Sequence, residues 1–218
     1  MDFIKYPKIC HLPGSKMSRE DKRLGEVELA ALVGPVHISE KVDGAVVCIG
    51  MKNNIPQLFK RSGPVRMGEH VQFKEFKLWV YSNMGRILLI PDSWRIYGEW
   101  LSIQHTVVYD ELPDFFLAYD ILTPDGFLSK YTSEKLFLRW GFSIPVAYDI
   151  QLSEIEKFAS TTLSAYSTTD IMEGVVVRND GIVPLAPERI VRGKWVRENF
   201  IQGEHWSKGQ PISNQLRR

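Results

Sequence analysis

The sequence predicts a mixed α+β domain built mainly on antiparallel sheets and flanked by helices. Three observations lead there. Residues 36–50, VHISEKVDGAVVCIG, place β-branched and apolar residues on both sides of an Asp-Gly pair. Further β-rich segments recur downstream as WRIYGEWL, DFFLAYDIL and IMEGVVVRND. Helical patterns separate some of these strands and not others, so the regular strand-helix-strand rhythm of a parallel sheet is missing.

The elements follow in order. Residues 1–35 read as an N-terminal extension containing the loop-like LPGSKMSRED. The pattern around Asp43-Gly44 predicts two strands folded back on each other at a tight turn. IPQLFKRSG reads as a further strand ending at a glycine turn. Residues 69–81, EHVQFKEFKLWVY, mix apolar and charged positions as a helix does. SEKLFLRW predicts a second helix, with Thr132 and Ser133 as candidate caps. Ser153 and Glu156 form a capping-box pattern ahead of a third, FASTTLSAY. RIVRGKWVREN supplies a last strand. One domain over 1–218 is expected, with 200–218 as a short C-terminal tail.

Composition removes several classes of function. Apolar residues make up 44% and charged residues 24%, as in soluble globular proteins. No apolar run reaches the roughly 20 residues that span a bilayer, and MDFIKYPKIC lacks a signal-peptide core. No membrane partner is expected, and the expected location is cytoplasmic. Cys10 and Cys48 form no CxxC pair, which argues against zinc and against a disulfide framework. With 27 basic and 26 acidic residues the net charge is +1. Contact with nucleic acid would therefore rest on a local basic groove.

The chemistry is concentrated in charged residues set into apolar strands. Lys41 stands in Lys-Val-Asp-Gly. Arg61 follows 20 residues later in Lys-Arg-Ser-Gly. Glu99 lies in Tyr-Gly-Glu-Trp, Asp120 ends Phe-Leu-Ala-Tyr-Asp, and Glu173 opens Glu-Gly-Val-Val-Val-Arg. Arg192 and Lys194 flank a glycine in Val-Arg-Gly-Lys-Trp-Val. Single buried charges are costly, so their repetition in strands implies convergence on one polar site. Each residue also has a plain structural reading. Lys41 fits an exposed lysine beside a hairpin turn, Tyr119 fits core packing, Arg61 a solvated strand end, and Glu173-Gly174 a bulge. His105 reads best as a structural histidine. His205 and Trp206 fit either packing or a substrate edge.

In this order the motifs resemble those of the covalent nucleotidyltransferases, the superfamily of DNA ligases, RNA ligases and mRNA capping enzymes. The spacing is most similar to ATP-dependent RNA ligases of the RNA ligase 2 type. The segments at 98–122 and 194–214 are also similar to a phage and bacterial subgroup of RNA ligases. The resemblance runs over residues 36–214 and implies an adenylyltransferase domain of the ATP-grasp-like ligase type. It implies ATP and Mg²⁺ or Mn²⁺ as cofactors, with Lys41 as the nucleophile that carries AMP. Asp43 and Glu99 would hold the ribose or a metal-bound water, with Gly44 completing the motif. Arg61 would contact a phosphate. Tyr119 would stack on adenine, with Val176 on the opposite face and Glu40 near the amino group. Asp120 and Glu173 would position ribose and metal, so that the metal set is Asp43, Glu99 and Glu173. Lys194 and Arg192 would bind the α-phosphate and favour neutral Lys41.

The implied substrate is RNA with 5′-phosphate and 3′-hydroxyl ends. Nicked DNA and a non-catalytic binding module are the alternatives. The sequence departs from the superfamily at Val46, where DNA ligases and capping enzymes carry arginine, and at Ala45, where the RNA ligase 2 type favours a polar residue. Arg192 replaces a lysine. Only 24 residues follow Lys194, too few for an OB-fold domain. A dimer or a protein partner could then supply grip on nucleic acid.

Overall fold

The computed structural model describes residues 2–66, 68–181, 185–198, 200 and 210–218. His205 and Trp206 lie outside the described residues. Two sheets organise the rest. The first holds five strands: β1 (Cys10–His11), β2 (His37–Lys41), β9 (Ala147–Tyr148), β10 (Gly174–Arg178) and β11 (Arg192–Val196). Their order is β1-β11-β10-β2-β9. The second holds six: β3 (Ala45–Lys52), β4 (Ile55–Lys60), β5 (Gly63–Pro64), β6 (Arg95–Trp100), β7 (Phe116–Thr123) and β8 (Gly126–Phe127), in the order β5-β4-β3-β6-β7-β8. Every strand pairing is antiparallel except β1 with β11. The expected fold class holds.

Each sheet buries one face. In the six-stranded sheet Val47, Ile49 and Met51 of β3 alternate inward with Ile96 and Trp100 of β6. They pack on Phe76 and Val80 of α2 (Val71–Ser82), Ile87 of α3 (Met84–Ile87) and Phe137 of α4 (Lys130–Trp140). In the five-stranded sheet Ile38, Val175, Val177 and Trp195 pack on Leu12, Leu24 and Leu32, which flank α1 (Glu26–Ala30), and on Ile155 and Ala159 of α5 (Ile155–Thr161). The opposite faces of the two sheets look across a cleft.

The expected helix at 69–81 forms as α2. The second begins earlier than its expected caps, because Ser129 is the N-cap and its Oγ accepts from Thr132 N at 3.3 Å. The third is preceded by a 3₁₀ turn whose box is Gln151 with Glu154, and it ends at Thr161. The capping box is thus two residues earlier than the pattern suggested.

The hairpin expected at Asp43-Gly44 does not form. β2 pairs with β10 and β9, whereas β3 pairs with β4 and β6, so residues 42–44 carry the chain from one sheet into the other. A two-residue hairpin needs positive φ at its centre, and neither Asp43 nor Gly44 adopts it. The tight turn instead joins β3 to β4 at Asn53 (φ 52°) and Asn54 (φ 59°). Gly44 is needed for close approach. A Cβ there would stand 2.6 Å from the Trp100 carbonyl oxygen and 2.6 Å from Leu101 Cδ2. Gly44→Ala should therefore push β3 away from β6 and lower stability by about 1–3 kcal/mol, the usual cost of overpacking. Urea denaturation of the variant and the wild type reads this directly.

Candidate active site

β2 alternates, so Ser39 and Lys41 face the cleft while Ile38 turns to the core behind it. On β10, Val176 is opposite Ser39 and Gly174 is opposite Lys41. Lys194 of β11 is opposite Val176. The cleft floor therefore carries Lys41, Val176 and Lys194 in adjacent rows. The facing sheet contributes Glu99 of β6 and Tyr119 and Asp120 of β7. A register shift opposite Tyr97 and Gly98 makes both possible. Ala118 pairs with Gly98 and Asp120 with Tyr97, which leaves Tyr119 as the extra residue. Regular alternation would bury either Tyr119 or Asp120; the bulge turns both to the cleft.

Of the twelve site residues expected from sequence, all but Arg192 line this one cleft of about 750 Å³. Lys41 Nζ donates to Glu173 Oε2 at 2.6 Å. Burial alone would lower the Lys41 pKa, but Glu173, Glu99 and Asp43 together raise it. These carboxylates favour the ammonium form and outweigh the opposing pull expected from basic neighbours such as Lys194. Burial is also the main influence on the carboxylates. It pushes Glu99 up to about 8, with Lys41 opposing and Glu173 and Asp43 adding. It pushes Glu173 up to about 7 against the pull of Lys41. Lys194 is lowered, first by burial and then by the charge on Lys41.

Four residues that the resemblance assigns to nucleotide or metal have partners within the chain. Asp43 Oδ2 accepts from the amides of Thr106 at 2.6 Å and Val107 at 3.1 Å, and Asp43 N donates to the Tyr109 hydroxyl at 2.7 Å. Its carboxylate fixes the loop after β6. Glu40 accepts from Ser164 Oγ, from Ala165 N at 2.9 Å and from Tyr148 Oη at 2.7 Å. That buried carboxylate is already filled by these donors. Asp120 accepts from Arg178 Nη1 at 2.6 Å and from the Tyr6 hydroxyl, and it lies 3.4 Å from Arg192 Nη2. It is fully buried, and removing either partner of its bond to Arg178 would strand a charge at a cost of about 3–5 kcal/mol. Arg192 stacks on Phe127 at 4.6 Å and is not among the residues that line the cleft.

Sequence reasoning missed Arg178, Lys130 and the N-terminal residues Tyr6 to Ile9, all of which line the cleft. Arg178 was legible, since it continues the alternation Gly174, Val176 on one face of β10. Lys130 and Tyr6 carried no local signal. His105 lines the cleft 3.4 Å from Gln72 Oε1. The segment 210–218 also folds back on this region. Asn214 Oδ1 accepts from Tyr109 N at 3.0 Å, and its Nδ2 donates to Leu101 O at 2.8 Å. This steadies the loop that grips Asp43.

A metal ion fits the donors in one way only. Among the described residues no group of three or more His, Cys, Asp or Glu is arranged to hold a metal. Glu99 and Glu173, both raised first by burial and further by neighbouring carboxylates, are carboxyl groups that a cation in the cleft would help to ionise. Mg²⁺ commonly uses one or two carboxylates together with substrate phosphates and water, and that pair suits it.

The sequence matches the RNA ligase family over residues 34–196, most of its length. The chain belongs to that family. Comparison with curated proteins found no match. Among solved structures, an archaeal ATP-dependent RNA ligase is similar with TM-score 0.57 and 15% identity, covering 88% of this chain and 48% of that one. A Naegleria gruberi RNA ligase with PPi gives TM-score 0.59 and 13% identity, over 89% of this chain and 60% of the other. A mutant of the same Naegleria gruberi enzyme with AMP and Mn gives 0.60 and 14%, over 91% and 62%. The chain thus spans less than two thirds of the length of each, and at these identities the likeness is one of fold.

The carboxylate shifts predict how stability of this RNA ligase family member varies with pH. Glu99 and Glu173 bind protons more tightly folded than unfolded, where their pKa is about 4.3. Stability is therefore lost as pH rises towards their folded values of about 7 and about 8. His11, lowered by burial and by Lys194, acts in the opposite sense below about pH 6.5, its unfolded value, so the clean window lies above that. The midpoint of thermal unfolding should fall between about pH 6.5 and 8.5 in the wild type and fall less in Glu99→Gln. Parallel curves for the two proteins would refute the assignment.

Proposed function

We propose that the chain is an ATP-dependent RNA ligase that works through lysyl-AMP at Lys41. The observation that carries this reading is the position of Lys41. Its ammonium sits at the end of β2 in the cleft, bonded to Glu173 and opposite Glu99, with Lys194 on the neighbouring row. The adenylation step would join Lys41 Nζ to the α-phosphorus of ATP. The bond from that phosphorus to the bridging oxygen of the β-phosphate breaks, diphosphate leaves, and Nζ gives up a proton. A 5′-phosphate oxygen of the RNA then displaces the lysine and takes the AMP. Attack by the 3′-hydroxyl finally forms the phosphodiester and releases AMP.

The residues present suit each part. Lys194 and Arg61 supply positive charge for phosphate oxygens, and placed charges of this kind dominate phosphoryl transfer. Tyr119 offers a ring to adenine, with Val176 across the cleft. Glu173 can accept the proton that Lys41 must lose, since its pKa of about 7 is poised near neutrality. Mg²⁺ or Mn²⁺ at Glu99 and Glu173 would neutralise developing phosphate charge when bound. It would also relax the carboxylate field that holds Lys41 protonated. RNA as substrate is drawn from the family, and the specific ends follow from the three-step chemistry.

Incubation with α-labelled ATP and Mg²⁺, followed by denaturing electrophoresis, tests the reading. Wild type should carry label on Lys41, and Lys41→Ala should carry none while remaining folded by circular dichroism. Persistent labelling of that variant would overturn the assignment. Tyr119→Ala should raise the ATP concentration for half-maximal labelling about tenfold or more, because a base-aromatic stack contributes about 1–3 kcal/mol. Tyr119→Phe should stay near wild type, since the ring and not the hydroxyl is used. Equal behaviour of the two variants would return Tyr119 to a packing role. Sealing assays on matched nicked RNA and nicked DNA then compare the substrates, which differ by the 2′-hydroxyl.

A further inference from the structure

The N-terminal segment precedes the family-matched residues, which begin at 34, yet it closes one side of the cleft. Arg95 Nη2 donates to Asp2 O at 3.0 Å and the Tyr97 hydroxyl donates to Ile4 O at 2.8 Å, which ties the chain to the six-stranded sheet. Tyr6 packs edge-on against Tyr119 at 5.2 Å. β1 then joins the five-stranded sheet beside Gly193 and Lys194. The segment therefore bridges both sheets, and this fixes Lys8 over the cleft.

Lys8 is not placed at random on that strap. Lys8 Nζ lies 3.3 Å from Asp21 Oδ1, and Lys194 Nζ lies 3.9 Å from the same oxygen. His11 Nε2 approaches the other oxygen at 3.4 Å. Lys8 and Lys194 both line the cleft, whereas Asp21 does not. Lys8 Nζ also donates to the Glu20 carbonyl, and one carboxylate thus gathers two ammonium groups beside a cleft that also contains Lys41 and Arg61. A diphosphate carries several anionic oxygens, and two ammonium groups gathered at one carboxylate oxygen can share them.

We propose that Lys8 and Lys194 form an oxyanion subsite for the diphosphate portion of ATP, with Asp21 as the residue that positions them. The assignment rests on the ATP-dependent reading above. It makes the N-terminal segment part of the nucleotide site. It also separates two roles for Lys194, which faces Lys41 on one side and Lys8 on the other.

Calorimetric titration with inorganic diphosphate tests this without any catalysis. Lys8→Ala should bind diphosphate about tenfold more weakly, as expected for loss of one charge-assisted contact. Lys8→Arg should retain most of the affinity. A second arm follows transfer of AMP from preformed lysyl-AMP to a 5′-phosphorylated strand. A defect of Lys8→Ala confined to that arm would overturn the diphosphate assignment and place Lys8 on the strand phosphate. Lys8→Ala equal to wild type in both arms, with an unchanged thermal midpoint, overturns the proposal. So does a wild type that neither binds diphosphate nor transfers AMP. If wild type binds diphosphate through Lys8 but never takes label from ATP, the ATP-dependent reading fails and the subsite stands.

Discussion

The structure depends on the passage of Lys41 to Gly44 from one sheet to the other. Lys41 ends β2, residues 42–44 carry the chain to the other sheet, and β3 begins at Ala45. The crossing can be this short only because Gly44 lets its backbone lie against Trp100 and Leu101. Asp43 then takes two loop amides and the Tyr109 hydroxyl at once. Everything that faces the cleft inherits its position from this junction. The ammonium of Lys41, at the end of β2, is bonded to Glu173, which immediately precedes β10.

That placement sets an electrostatic conflict. Glu99 and Glu173 are buried beside Lys41, and one ammonium does not compensate two carboxylates and Asp43. The site without nucleotide therefore stabilises the protonated lysine, which is the unreactive form. Arrival of cations or protons at the carboxylates shifts the balance towards the neutral amine. A second charged cluster is closed on itself: Asp120 is satisfied by Arg178 and Tyr6, and Arg178 also bonds Asp180 at 2.8 Å. It ties β7 to β10 across the base of the cleft and keeps the two sheets at a fixed separation.

Segments at both ends of the described chain brace this arrangement. Residues 2–11 cross from one sheet to the other over the cleft. Residues 210–218 clasp the loop at 101–112 through Asn214 and the backbone of Gln215, whose amide donates to Tyr109 O at 2.8 Å. Neither segment falls within 34–196. A small two-sheet fold with a deep cleft has few contacts between its halves, and these straps supply additional ones beside the reactive lysine.

How much was legible in the sequence follows from which physics is local. Alternation of apolar residues marked the strands, and charged residues inside that alternation marked the cleft, because a charge in an apolar strand needs a polar destination. Lys41, Glu99, Glu173 and Lys194 were recoverable on that ground, whereas Tyr119 and Val176 came only from the family resemblance. The partner of each strand was not. Asp-Gly between two β runs is as good a hairpin signal as a sheet crossing, and only long-range pairing with β10 and β6 decided between them. The bulge that turns Asp120 inward, its capture by Arg178, the stacking of Arg192 on Phe127 and the arrival of Tyr6 and Lys8 all depend on residues far apart in the chain. Sequence determined which chemical groups the protein possesses and the periodicity that buries or exposes them. Tertiary structure decided which charges neutralise one another and which are left to face a substrate, because that balance is set by distance in space.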